Sequence, residues 1–243
     1  MSIPLLSTRL PHFPDPETAL TTPAGLLAAG GSLDVEWLLT AYVNGIFPWF
    51  NEDRGPILWW SPDPRGVLVP DELRVSRSLR KRLRNGGFRL SADTCFDTVI
   101  EQCSAPRQFG GEFVDGTWIT PRMRNAYRAL HAAGYAHSIE AWLDGELAGG
   151  LYGVSTGRLF FGESMFTRVS DASKVALFGL CRQVARWGFP IVDCQMVNDH
   201  LDTMGIKTCP RTRFLQLVRT HARTATRRGP WELDPDIAAL TVS

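Results

Sequence analysis

The chain has 243 residues, 44% hydrophobic and 21% charged, and its 26 Lys and Arg against 25 Asp and Glu leave a formal charge of +1. That length and apolar share suit one large domain or two small ones with a real core, and they exclude a largely disordered chain. The even charge balance names no partner, so partners are argued from local charge.

The five cysteines (Cys95, Cys103, Cys181, Cys194 and Cys209) are odd in number and scattered, and no Cys-x-x-Cys pair occurs. This argues against a disulfide framework and a structural zinc site and for a reducing compartment. The apolar run Ile3 to Leu6 is too short for a secretory signal, and no stretch reaches the roughly 18 apolar residues of a membrane span. A cytoplasmic protein away from membranes is expected.

In chain order, Pro11, Pro14, Pro16 and Pro23, then Pro48, Pro56, Pro62 and Pro64, mark a loop-rich opening segment. Within it Ser32 reads as the N-cap of a helix whose apolar residues Val35, Leu38, Leu39 and Tyr42 fall at helical spacing, with Asn44-Gly45 as the stop. The texture changes near residues 61 to 64, which sets a boundary between an N-terminal domain (1–62) and a second domain (63–243). Gly66 to Val69 reads as a strand, and Arg74 to Leu83 as a basic helix capped by Ser76 or Asp71. Helices are expected over Asp93 to Cys103 and Pro121 to Ala133. Asp144-Gly145 is a turn signal between two strands, which predicts an antiparallel hairpin. Arg158 to Phe166 is the next strand, Asp171 to Trp187 a helix, Ile191 to Met196 a buried strand and Pro210 to Arg223 a closing helix. The expected class is α+β, helices on a mostly antiparallel or mixed sheet.

Three features point to chemistry. Asp193 and Gln195 share one face of an otherwise apolar strand, because side chains alternate, and such groups are costly there unless hydrogen-bonded. They either satisfy loop backbone or form a polar rail on a cleft wall; Asn198, just beyond, either joins them or caps a short helix from Asp199 to Met204. Glu163 sits among large apolar residues in Phe160-Phe161-Gly162-Glu163-Ser164-Met165-Phe166. It either faces solvent on a half-exposed strand or meets a cationic ligand group in a pocket. Arg77, Arg80, Lys81, Arg82 and Arg84 lie in a segment with no acid between Arg74 and Ala92. Solvated helix faces normally mix signs, so this run reads as a nucleic-acid contact. Most of the eight Trp residues read as loop-packing groups, with one or two left to stack a base. No dinucleotide fingerprint, phosphate loop, Ser nucleophile elbow or metal-binding His spacing is present, so no cofactor and no metal are expected.

The motifs Gly45-Ile46-Phe47-Pro48-Trp49-Phe50, Trp59-Trp60-Ser61-Pro62-Asp63-Pro64-Arg65, Gly116-Thr117-Trp118-Ile119, Ala136-His137-Ser138-Ile139-Glu140, Gly162-Glu163-Ser164-Met165-Phe166, Ala172-Ser173-Lys174 and Asp193-Cys194-Gln195-x-x-Asn198-Asp199-His200 together resemble the leucyl/phenylalanyl-tRNA–protein transferase family. The resemblance spans about residues 12 to 220. It implies a family-specific N-terminal domain and a second domain similar to the GNAT acyltransferases. It also implies transfer of Leu or Phe, and less well Met, from aminoacyl-tRNA to the α-amine of proteins beginning with Arg or Lys. The product carries an N-end-rule degradation signal. Carried over by position, the catalytic residues are Asp193 and Gln195, with Asn198 supporting and Glu163 lining the acceptor site. Trp49 stacks on the terminal adenosine and Trp118 forms another wall. The amino-acid pocket falls on Leu151, Phe160, Met165, Leu177, Leu180 and Val192, and the basic helix corresponds to the tRNA contact. A monomer is expected, and the segment from Arg107 to Val114 looks longer than typical and has no assigned role.

An aminoacyl ester is already activated, so the reaction needs orientation of two substrates, removal of a proton from the ammonium and stabilisation of an oxyanion. Gln195, polarised by Asp193, is expected to hold the amine, and Asp193 or Glu163 to attract the acceptor's cationic residue. Two other classes compete. An acetyltransferase using coenzyme A needs a Gly-rich pyrophosphate loop where Thr167-Arg168-Val169-Ser170 has no Gly. A non-catalytic RNA-binding module leaves Asp193, Gln195 and Glu163 without a purpose.

Overall fold

A computed structural model describes residues 3–105, 107–109, 112–114, 118–197 and 202–241, with backbone alone at 107–109 and 112–114. The opening segment builds a small four-stranded sheet. Its strands are β1 (Leu5–Leu6), β2 (Leu26–Gly30), β3 (Phe47–Pro48) and β4 (Leu58–Trp60), in the order β1-β2-β4-β3. Strands this short carry no readable alternation, so the sequence showed loops where these four strands lie. Between β2 and β3 runs α1 (Val35–Tyr42), with Asp34 and not Ser32 at the N-cap position; the Asp34 side chain makes no cap hydrogen bond, and the Ser32 Oγ accepts from the Asp34 N–H at 3.1 Å. Phe13, Trp37 and Trp59 close this sheet with two edge-to-face contacts and one stacked pair.

The second sheet begins at Arg65. Its members are β5 (Arg65–Leu68), β6 (Arg89–Ala92), β9 (Ala136–Leu143), β10 (Glu146–Thr156), β11 (Leu159–Thr167), β12 (Ile191–Gln195) and β13 (Lys207–Cys209), in the order β13-β5-β12-β11-β10-β9-β6. A separate pair, β7 (Arg107–Phe109) and β8 (Glu112–Val114), accounts for the segment without a role. The helices are α2 (Arg77–Asn85), α3 (Phe96–Ser104), α4 (Pro121–Ala132), α5 (Ala172–Arg186), α6 (Arg211–His221) and α7 (Pro235–Ala238). The mixed sheets and flanking helices make the chain α+β. The short helix expected from Asp199 begins outside the described residues.

Local chemistry explains the clearest elements. Asp144 and Gly145 both take positive φ (52° and 83°), the backbone that a tight β9–β10 hairpin requires. Ser76 caps α2 by accepting from the Leu79 N–H, and Leu79 and Leu83, one turn apart, are its buried contacts. Thr120 does the same for α4, with Pro121 in the first turn.

Alternation sends neighbouring side chains of the second sheet into two cores. Phe161, Tyr152 and Val154 face α3, α4 and the small sheet. Phe160, Leu151 and Val192 face α5. All pairings in this sheet are antiparallel except β11 with β12, which the α5 crossover makes parallel. That pairing covers only Leu159↔Ile191, Phe160↔Val192 and Phe161↔Asp193. Beyond it β11 runs on to Thr167, and the two strands part. Two irregularities flank the gap: β10 shifts register at Tyr152/Gly153, and β12 shifts against β5 between Asp193 and Gln195. Gly153 has no alternative at the first, since a Cβ there would lie 2.2 Å from the Phe161 carbonyl oxygen.

Candidate active site

The gap between β11 and β12 is where the polar residues meet. Asp193 is the last residue paired with β11, and it points into the core shared with the small sheet. There it forms a two-pronged ion pair with Arg65, from Nε to Oδ1 at 2.8 Å and from Nη2 to Oδ2 at 2.6 Å. Both side chains are buried, at 0% and 1% exposure. The Arg65 guanidinium lies between the rings of Phe47 and Phe214, 4.7 and 4.5 Å from their centroids. Asp193 Oδ1 also accepts from the Gln195 backbone N–H at 2.9 Å. This bond holds Gln195 at φ +61°, a conformation that costs a non-Gly residue about 1–3 kcal/mol. Asp193 thus acts on the backbone of Gln195 and not on its amide group, and Arg65 already satisfies its charge.

The Gln195 side chain crosses the gap, and its Nε2 donates to Glu163 Oε1 at 2.9 Å. Glu163 also accepts from Tyr42 at Oε1 and from Tyr127 at Oε2, both at 2.7 Å, and the two hydroxyls are 2.7 Å apart. Tyr42 comes from α1 and Tyr127 from α4, and both are fully buried. Burial pushes the Glu163 carboxyl up to about 7, outweighing the two tyrosine hydrogen bonds, while Asp193 pushes it up and Arg65 down. Burial is also the leading reason that both phenols lie well above their ordinary range. The carboxyl is therefore the member of this cluster that changes charge near neutrality.

The residues expected to line an apolar pocket lie together in packed core. Leu151, Phe160, Leu177, Leu180 and Val192 lie in the core under α5, each at most 4% exposed, and Met165 packs at its margin. Trp49 and Trp118 are half-buried on the other core, the one that contains Tyr42 and Tyr127. Trp49 meets Trp60 edge to face at 5.4 Å, and its carbonyl accepts from the Trp60 indole. Asn198 lies outside the described residues.

On α2, Arg77, Arg80, Lys81 and Arg84 are exposed, and among the described residues none of them is in an ion pair. Arg82 differs from them. It is half-buried, lies 5.4 Å from the Phe88 ring centroid and donates to the Ser170 carbonyl, so its guanidinium is turned inward. Among the described residues no helix is long and apolar enough to cross a membrane, and no cluster of His, Cys, Asp or Glu is arranged to hold a metal ion.

Family models for the leucyl/phenylalanyl-tRNA–protein transferase and for its N-terminal domain match residues 67–219 and 31–63. The chain belongs to the leucyl/phenylalanyl-tRNA–protein transferase family. The family member from Aromatoleum aromaticum is 53% identical over 96% of this chain and 95% of its own length. One from an Azoarcus species is 58% identical over 87% and 88%. Among solved structures, L-PGS from Bacillus licheniformis reaches a TM-score of only 0.38 at 9% identity, over 66% of this chain and 50% of that one, too slight a likeness to argue from. As a leucyl/phenylalanyl-tRNA–protein transferase homologue the chain is an aminoacyltransferase, with an aminoacyl-tRNA as donor and a protein as acceptor.

Three residues of the site escaped the sequence reading. Tyr42 and Tyr127 sit at helical core spacing, where only the ring is legible and the hydroxyl is not. Arg65 belongs to a quoted motif, but its partner lies 128 positions away.

Proposed function

We propose that this enzyme transfers Leu or Phe, and less well Met, from aminoacyl-tRNA to the α-amine of proteins that begin with Arg or Lys, forming a peptide bond and an N-end-rule degradation signal. The observation that carries this is the Glu163 carboxyl in the β11–β12 gap, bridged to Gln195 and held by tyrosines, with the neighbouring cation, Arg65, already committed to Asp193. A cationic acceptor is attracted there, because a carboxylate without an ion-pair partner in a desolvated site favours a positive one.

In this reading Gln195 holds the acceptor's amine through its amide oxygen, Glu163 faces the amine and the cationic first residue, Asp193 fixes Gln195, and Asn198 supports them. The core under α5, from Leu151 to Val192 in the sheet and Leu177 and Leu180 on the helix, receives the transferred side chain next to Met165. Trp49 stacks on the terminal adenosine and Trp118 walls the same subsite. Arg77, Arg80, Lys81 and Arg84 bind tRNA phosphates, and Arg82 braces their helix. Residues 1–62 form the N-terminal domain and 63–243 a GNAT-like catalytic domain, a reading supported by the antiparallel β9-β10-β11 run, the α5 crossover and the gap after the parallel pair. The enzyme works as a cytoplasmic monomer without a cofactor.

The test is transfer of radiolabelled leucine from Leu-tRNA to a peptide that starts with Arg, beside one that starts with Ala. Labelling of the Arg peptide alone is expected. Equal labelling of both removes the acceptor rule, and labelling of neither removes the reaction.

A further inference from the structure

Tyr42, Tyr127 and Glu163 form a closed triangle of oxygens, with each hydroxyl 2.7 Å from the carboxylate and from the other hydroxyl. Three such contacts need three protons. With Glu163 ionised the triangle holds two, one on each phenol, so the contact between the two hydroxyls goes without a donor. A proton added to Glu163 completes the ring: the carboxyl donates to one tyrosine, that tyrosine to the other, and the second tyrosine back to the free carboxyl oxygen. Ionised, the same carboxylate keeps both hydroxyls and the Gln195 amide as donors. In both protonation states the carboxyl group is therefore satisfied by rotating hydroxyls, with every heavy atom in place.

We infer that Glu163 is the group that takes the proton released by the acceptor's α-ammonium, and that Tyr42 and Tyr127 are positioning residues that fit it for both states. The inference rests on the reaction proposed above and names the proton acceptor that this reaction needs. An N–H bond of the ammonium breaks as the O–H bond forms on Glu163. The neutral amine then attacks the ester carbonyl, the C–N bond forms, and the ester C–O bond breaks. The second proton on nitrogen passes to the departing ribose oxygen, and Glu163 later returns its own proton to water. The amide of Gln195 is too weak a base for this transfer and keeps its orienting role.

The surroundings fit the assignment. Tyr42 faces Glu163 from α1, Tyr127 from α4, and Gln195 with Asp193 from β12, while Arg65 on β5 pairs Asp193, so these two fixed charges offset each other. Tyr152 on β10 stands behind the phenols, edge to face with Tyr127. A carboxyl at about 7 is close to an α-amine, whose ordinary value is about 7.7–8.0, so the transfer is nearly balanced.

The experiment is the pH profile of kcat for leucine transfer to one Arg-initiated peptide, for the wild-type chain and for Tyr127→Phe, Tyr42→Phe and Glu163→Gln. Each tyrosine hydroxyl lowers the carboxyl's proton affinity, so its removal moves the acidic limb upward, by about one unit for each charged hydrogen bond removed. The peptide is the same throughout, so a moving limb belongs to the enzyme and not to the substrate's amine. Glu163→Gln, the shape of the protonated state, is expected to fold and to lose at least 100-fold in kcat. A limb that stays within about 0.2 units in both Tyr→Phe variants, or a Glu163→Gln enzyme at wild-type kcat, overturns the inference alone. No transfer by the wild-type chain overturns the reaction reading and the inference with it.

Discussion

Replacing Arg65 by Met tests the claim that the Arg65–Asp193 pair holds the site together. The substitution keeps an unbranched side chain between the Phe47 and Phe214 rings, but it strands a carboxylate that is 1% exposed. Removing one partner of a buried ion pair costs about 3–5 kcal/mol, because the remaining charge stays desolvated. For a chain of this length, each kcal/mol lowers the melting temperature by about 2–4 °C, so a fall of roughly 6–20 °C is expected in calorimetry. Asp193→Asn alone strands the guanidinium instead, yet its Oδ1 still accepts from the Gln195 N–H. The double variant buries no charge, and its loss is expected to be at least about 2 kcal/mol smaller than the sum of the singles. Losses that add to within about 0.5 kcal/mol, or an Arg65→Met chain that melts with the wild type, would refute the reasoning.

Other outcomes follow from the same geometry. The native state holds the Glu163 proton up to about pH 7 against an ordinary value of 4.5, so stability declines as pH rises through that window and is lowest above it. Urea titrations of Glu163→Gln are expected to show a gain of the order of 1–3 kcal/mol over wild type at pH 8, shrinking to nothing near pH 4.5. Replacing Arg80 and Lys81 by Ala is expected to reduce the slope of log K for tRNA against log salt by about 0.7–0.9 for each phosphate left unneutralised. Arg82→Ala is expected to act on thermal stability first, and a reversed pattern sinks the division of α2 into outward and inward charges. Met165→Ala is expected to change the ratio of kcat/KM for Phe over Leu, at about 1–3 kcal/mol per methylene of fit, and an unchanged ratio removes Met165 from the pocket.

How much was legible depended on where the governing partner lies. Asp144-Gly145 needs only its own backbone to make a hairpin, and Ser76 needs only the N–H three residues on, so both were readable. Glu163, Asp193 and Gln195 stood out because each is a polar residue in an apolar strand. Their pairing was not visible, since it depends on a parallel strand pair that parts after three residues and on a register shift beside Gln195. Asp193 looked like a group that polarises its neighbour's amide, whereas Arg65 claims the carboxylate from the far side of the chain. The edge strands β6 and β13 were missed for a related reason: with 4 and 3 residues they are defined by the strand beside them more than by any pattern of their own.

The triangle around Glu163 draws on positions 42, 127 and 163, and the closing amide comes from 195. None of these groups is near another in sequence, so no local segment assembles even half of the site. During refolding, separations of 121 and 36 residues must close before the Tyr42 and Tyr127 hydroxyls reach the carboxyl, and such long-range closures come late because their entropy is lost before any contact offsets it. Regain of transfer should therefore lag behind regain of helix signal, and the interval between them times the docking of the small sheet onto the large one. The same arrangement makes the active site a sensor of that docking: loosening the small sheet anywhere withdraws Tyr42, and activity falls before the second sheet itself begins to melt.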